Sequence, residues 1–185
     1  MQVNAIILAG GKSKRMGVDK PLMSFNGETL LERSVILCKS FFKDVIISSQ
    51  NPKHQVEDCK IVPDLIEDCG PIGGIYSCLR ISDTEWNFVM SVDAPFLEPA
   101  FISLLISETD GYDAVIPVHN SGIEPLLGIY RKRSLLQMEK QIAEGNYKMH
   151  DLLDHLNVNF VEAQSWVDRY PLIFKNLNKP EDFDY

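Results

Sequence analysis

Val3-Asn4-Ala5-Ile6-Ile7-Leu8-Ala9-Gly10-Gly11-Lys12-Ser13-Lys14-Arg15-Met16-Gly17 is the stretch that decides how this sequence is read. Residues 3–9 form a short apolar run stopped by two glycines, the pattern of a buried β-strand. Residues 10–21 then read as a loop, glycine-rich at first and basic afterwards, with Lys12, Lys14, Arg15 and Lys20 close together. Gly10 and Gly11 let backbone N–H groups approach an anion closely. Arg15 can grip phosphate oxygens with a forked pair of donors, and Lys20 supplies a compact charge. These are the ingredients of a phosphate site, although the spacing is neither G-x-G-x-x-G nor G-x-x-x-x-G-K-[ST]. A solvated surface loop would have the same composition.

Working outward, residues 29–42 read as a helix carrying Leu30, Leu31, Ser34, Val35 and Cys38 on one face. Residues 44–48 form a second apolar strand, 50–60 are polar and irregular, and 61–62 form a short strand running into Pro63-Asp64. Gly70-Pro71-Ile72-Gly73-Gly74 marks a turn into a helix ending near residue 81, with Pro71 suited to the first helical position. Residues 86–92 are another buried strand, closed by Asp93, and a helix follows from Glu98-Pro99 to about residue 107. Residues 113–118 read as a strand and 123–130 as extended. Residues 134–144 and 149–156 read as helices, 158–161 as a strand and 172–174 as a last extended piece. This alternation implies βαβ units: an α/β, Rossmann-like three-layer α/β/α fold with a mainly parallel central sheet. With no repeat or linker in view, residues 1–185 are expected to form a single domain. In such sheets ligands bind at the carboxyl ends of the strands.

Bulk properties narrow the function. Hydrophobic residues make up 45% and charged residues 24%, as in a globular domain with a sizeable core. A net charge of −8 argues against nucleic-acid binding. No apolar stretch approaches the ~20 residues of a membrane helix. The chain opens on a strand rather than on a basic region with a cleavable apolar stretch, so neither a signal peptide nor a membrane partner is expected and the location is cytoplasmic. Cys38, Cys59, Cys69 and Cys78 show no C-x-x-C pairing and read as buried reduced thiols. His54, His119, His150 and His155 lack paired spacing and read as surface or core residues. Trp86 and Trp166 read as packing residues.

Ser91-Val92-Asp93-Ala94-Pro95-Phe96-Leu97 sets a carboxylate at the end of a buried strand, where it suits Mg²⁺, an ion that takes few carboxylates and completes its shell with waters and phosphates. An aspartate before proline also caps turns. The sequence offers no convincing nucleophile–base–acid triad.

Leu8-Ala9-Gly10-Gly11-x-x-x-Arg15-Met16-Gly17-x-Asp19-Lys20 resembles the signature of the nucleotidyltransferases that activate molybdopterin, above all the molybdenum cofactor guanylyltransferases. The resemblance implies a nucleotidyltransferase fold in which Leu8, Ala9 and Gly10 meet guanine with backbone groups and Arg15 and Lys20 hold the triphosphate. Asp93 is implied as the Mg²⁺ ligand and Asp64 as a nucleotide contact; Asn51 is a further candidate to face the nucleotide. Glu124-Pro125-Leu126-Leu127-Gly128-Ile129-Tyr130 resembles another family strand, with Glu124 where relatives often carry Gln or His. Asn176-Leu177-Asn178-Lys179-Pro180-Glu181-Asp182 resembles the family's closing motif. That match implies Asn176 and Asn178 near the metal or the acceptor phosphate; an Asx turn before a short helix is the other reading. The implied partners are GTP, molybdopterin or Mo-molybdopterin, and other molybdenum cofactor biosynthesis and molybdoenzyme delivery proteins. Cytidylyltransferases share the fold but tend to carry alanine where this chain has Gly10. Sugar-phosphate nucleotidyltransferases tend to show Gly-x-Gly-Thr-Arg in the loop. A non-catalytic nucleotide-sensing domain would be expected to have lost Asp93 or Lys20. A methyl at Gly10 is expected to intrude on a purine edge and to restrict φ.

Overall fold

The computed structural model describes residues 1–10, 19–178 and 182. Its strands are β1 (Val3–Leu8), β2 (Ser24–Phe25), β3 (Glu28–Thr29), β4 (Val45–Ser48), β5 (Lys60–Val62), β6 (Trp86–Ser91), β7 (Ala114–His119), β8 (Gly122–Ile123), β9 (Leu127–Arg131) and β10 (Val158–Glu162). Its α-helices are α1 (Leu30–Lys39), α2 (Pro71–Ile81), α3 (Pro99–Ser107), α4 (Leu135–Ala143), α5 (Met149–Leu153) and α6 (Gln164–Arg169).

The main sheet runs β10-β7-β9-β6-β1-β4-β5, with β8 paired to β7. β1 pairs in parallel with both β4 and β6, β4 with β5, and β7 with β10. β9 runs antiparallel between β6 and β7. Residue alternation along β1 divides the core. Ala5 and Ile7 join Leu31, Val35, Phe101 and Leu105 from α1 and α3 on one face. Ile6 and Leu8 join Ile72, Ile75, Met138 and Leu152 from α2, α4 and α5 on the other. Both faces are covered, as a parallel sheet requires.

Helix α1 begins with a capping box: Glu32 N–H donates to Thr29 Oγ1 at 3.1 Å, and Thr29 N–H donates to Glu32 Oε2 at 2.8 Å. The Thr29 N–H and, to a lesser degree, its hydroxyl both donate to Glu32 Oε2 and hold that carboxyl below its ordinary value. All four cysteines are free and buried, as their spacing suggests. Among the described residues no helix is long and apolar enough to cross a membrane.

Two local readings change. Residues 123–130 are not one extended piece: β8 and β9 flank a turn in which Leu127 N–H donates to Glu124 O at 3.1 Å, around Pro125. Residues 172–174 form turns rather than a strand. Ile173 N–H bonds back to Tyr170 O at 2.9 Å, and Lys175 N–H to Leu172 O at 2.8 Å. Ile173 and Phe174 pack into the core instead; Phe174 lies 5.4 Å from Phe101, ring to ring. Two elements have no counterpart in the sequence reading, α6 and the β2–β3 hairpin. The hairpin turns on Asn26-Gly27, at φ 53° and 88°.

Candidate functional site

The chain leaves β1 for β4 and β5 on one side, then returns through α2 to β6 on the other. The order reverses beside β1, the point where sheets of this kind form a ligand crevice, here beyond the carboxyl ends of β1, β4 and β6. Its floor is backbone: Ala9 N–H donates to Ser48 O at 3.0 Å, and Val92 N–H to Leu8 O at 3.1 Å. Gly10 is exposed at this edge. A Cβ built on it would lie 3.5 Å from Ser48 O and 3.9 Å from Ser49 Cα, an ordinary contact distance. Its φ also lies outside the left-handed region, so the expected φ restriction does not hold. Among the described residues nothing opposes an alanine there.

Beyond β6, three distant residues converge. Lys20 Nζ donates to Asp93 Oδ2 at 3.0 Å and to Asn178 Oδ1 at 2.9 Å. Ser91 Oγ donates to the other carboxylate oxygen, Oδ1, at 2.6 Å. The Lys20 and Asp93 side chains are only 20% and 18% exposed, so their attraction is screened less than that of a surface pair. Leu177 N–H donates to Asp93 O at 2.8 Å and fastens the C-terminal segment to the strand end. Asn178 N–H in turn donates to Asp182 Oδ2 at 2.8 Å. Asn176 is exposed and, among the described residues, takes no part in the Lys20–Asp93–Asn178 set.

Asp64 follows β5 on the opposite side of the crevice. Its Oδ1 has Ser48 Oγ as a donor at 3.4 Å, and burial raises its carboxyl above the ordinary range, with that hydroxyl opposing in part. Helix α2 comes close here because of its glycines. A Cβ on Gly74 would stand 2.5 Å from Ser48 Oγ and 3.5 Å from Asp64 Oδ1. Gly70, at φ 66°, makes the turn into the helix. The Cys78 thiol on this helix is pushed up to about 12 by burial, and the Asp64 carboxylate adds to the effect.

A fourth cluster lies past β4, of which the sequence pointed to Asn51 but not to its tie with Asp19 and His54. Asn51 Nδ2 donates to Asp19 Oδ2 at 2.6 Å, and His54 Nε2 lies 2.9 Å from Asp19 Oδ1. His54 is buried at 3% exposure, with its Nδ1 2.6 Å from Ser49 Oγ. The lone histidine three residues after Asn51 was the available signal, but its partner Asp19 is far off in sequence. On the other half of the sheet, Glu124 Oε1 lies 3.1 Å from His119 Nε2, and the His119 ring stacks on Phe174 at 5.0 Å. Glu124 thus has an internal partner. Gly11 and Arg15, with Lys12 and Lys14, lie outside the described residues, as do Pro180 and Glu181.

The described site therefore offers a backbone floor, a cation clamped to a strand-end carboxylate, and a second, half-buried carboxylate across the crevice. That arrangement can bind an anionic ligand with a polar, largely neutral second part. The model of the MobA-like NTP transferase domain matches residues 5–160. A protein of Geobacillus sp. (strain WCH70) named probable molybdenum cofactor guanylyltransferase is 33% identical over 97% of this chain and 95% of its own length. One of the same name from Natranaerobius thermophilus is 33% identical over 98% and 93%. The crystal structure of molybdopterin-guanine dinucleotide biosynthesis protein A from Archaeoglobus fulgidus superposes with a TM-score of 0.82 at 27% identity, covering 97% of this chain and 94% of that one. The chain belongs to the MobA-like NTP transferase family.

Proposed function

We propose that this member of the MobA-like NTP transferase family is a cytoplasmic, Mg²⁺-dependent guanylyltransferase that joins GMP from GTP to the terminal phosphate of molybdopterin or Mo-molybdopterin. A terminal phosphate oxygen of the acceptor attacks the α-phosphorus of GTP. The bond from that phosphorus to the bridging oxygen breaks, and pyrophosphate leaves with the electron pair. The nucleophile is already an anion, so no side chain has to take a proton from it. Rate acceleration then rests on alignment and on preorganised positive charge.

One observation carries the reading. Lys20 is fixed in the crevice with its ammonium 3.0 Å from Asp93 and 2.9 Å from Asn178, where a nucleotide's phosphates would meet it. The relatives named probable molybdenum cofactor guanylyltransferase support the choice of base and acceptor. Backbone groups of Leu8, Ala9 and Gly10 would face guanine, and Asp64 would accept from the nucleoside. Lys20, with Arg15 and the Gly11 backbone, would take charge on the departing pyrophosphate.

The donor set fits Mg²⁺ of one kind only. Among the described residues no group of three or more His, Cys, Asp or Glu side chains could hold a metal. Asp93 alone suits an ion that arrives on a triphosphate and keeps oxygens from it and from water. Asp93 would hold that ion with Asn178 and Asn176 nearby, and when bound it supplies charge neutralisation on the phosphate oxygens. Other molybdenum cofactor biosynthesis and delivery proteins are the natural partners for receiving the product. The test is a panel of GTP, CTP, ATP and UTP, assayed for pyrophosphate release with and without molybdopterin. Release with GTP that depends on molybdopterin is expected; preference for CTP, or release with a sugar phosphate instead, would replace the reading.

A further inference from the structure

Asp19 and Lys20 are neighbours that reach opposite ways. Lys20 is tied to Asp93 beyond β6, while Asp19 is tied to Asn51 and His54 beyond β4. Together they fasten the end of the basic loop across the strand that lies between. Asp19 has a carboxylate with two oxygens to satisfy, and each has one donor in the β4 cluster. An ionised carboxylate only accepts, so His54 Nε2 carries the proton and donates to Asp19 Oδ1. His54 Nδ1 is then free to accept from the Ser49 hydroxyl at 2.6 Å. Ser49 Oγ in turn accepts from Asn51 N–H at 3.0 Å. This arrangement gives both ring nitrogens and both carboxylate oxygens a partner. His54 is 3% exposed, so water cannot substitute for either of its partners.

We propose that His54 is a positioning residue for nucleotide binding, acting through Asp19 to fix the Lys20 ammonium at the phosphate end of the crevice. Asn51, whose side chain shares Asp19, is oriented by the same network. The assignment rests on the reading of this crevice as the GTP site. His54 does not touch the reacting atoms, and its effect appears in affinity rather than in the chemical step.

The test measures the Kd for Mg-GTP by calorimetry, with KM and kcat for transfer, in single and paired variants. His54→Leu removes the donor to Asp19; His54→Gln places an amide N–H where Nε2 stood. His54→Leu is expected to weaken GTP binding about tenfold, with KM rising more than kcat falls, and His54→Gln to recover most of that loss. In a Lys20→Ala background, His54→Leu is expected to add almost nothing, because the group it positions is gone. Full additivity of the two changes overturns the proposal, as does a His54→Leu protein that binds GTP like wild type. Should His54→Leu not fold, Asp19→Ala and His54→Gln decide: the first must weaken GTP binding about tenfold and the second must not. Weakening by Lys20→Ala alone would leave the site standing and remove His54. Absence of GTP binding by the wild-type protein would overturn the reading of the site and this inference with it.

Discussion

Asp93 and Asp64 face one crevice from its two sides under opposite electrostatic conditions. Beyond β6, Asp93 has an ammonium 3.0 Å from one oxygen and a hydroxyl 2.6 Å from the other. Beyond β5, Asp64 has, among the described residues, one hydroxyl donor at 3.4 Å, and burial raises its carboxyl. The first carboxylate is paired with a cation and, under the proposed function, would meet the Mg²⁺ carried on the phosphates. The second lies where charge is disfavoured and a neutral hydrogen-bond donor is welcome, as a sugar hydroxyl or base N–H would be. Under the proposed function the crevice is polarised, with its phosphate end at β6 and its nucleoside end at β5.

The comparison breaks most visibly at Asp93. Asp93→Asn keeps the size of the side chain and removes its charge. Turnover should fall at least about a hundredfold, the scale of losing one preorganised electrostatic group. Circular dichroism should show the fold unchanged. Wild-type turnover in this variant would reduce Asp93 to a turn cap. Lys20→Ala should act next in size, raising the Kd for GTP about tenfold or more and slowing transfer, because a forked or compact cation on phosphate contributes strongly when shielded from solvent. An unchanged Kd by calorimetry would mean that the Lys20–Asp93 pair is structural only.

Gly10 sharpens the nucleoside end. Since a Cβ there would meet no atom of the described residues closer than Ser48 O at 3.5 Å, Gly10→Ala should fold normally. Any loss then belongs to the ligand. GTP affinity should drop more than CTP affinity, by up to about tenfold in ratio, as expected for one disturbed contact in a closed site. Titration of both nucleotides into both proteins checks it, and an unchanged ratio removes Gly10 from the account of base choice.

The smallest effect is on stability and lies at Asp64. Its carboxyl is raised in the folded protein relative to the unfolded chain, so the fold favours its protonated form. Its contribution is intact below the ordinary carboxyl range, about pH 4, and is lost as pH rises through the raised value. Asp64→Asn has no charge to penalise. Its melting temperature should gain on wild type from pH 4 toward neutrality, by about a degree or two, and then run parallel to it. A gain that shrinks over that interval would reverse the sign of the argument.

The sheet was readable because its strands are apolar runs with abrupt ends. Residues 3–9, 44–48 and 86–92 match β1, β4 and β6 to within a residue or so, and glycine, serine or aspartate closes each. Short elements were not readable. The hairpin at 24–29 has two residues per strand, and α6 has no buried residue of its own to mark a period. The site was legible as separate residues: Lys20, Asp93 and Asn178 each sit in a recognisable motif. That they meet is a property of topology alone, since the contacts span 73 and 158 positions. His54 was illegible for the same reason: its bond to Asp19 spans 35 positions and leaves no periodic trace.

The polarity of the crevice is tested most directly by titrating GTP, with and without Mg²⁺, into wild type, Asp93→Asn and Asp64→Asn. Mg²⁺ should tighten GTP binding to wild type and to Asp64→Asn, while Asp93→Asn should bind GTP with the same affinity whether or not Mg²⁺ is present. Loss of the Mg²⁺ effect in Asp64→Asn, with the effect retained in Asp93→Asn, would contradict it.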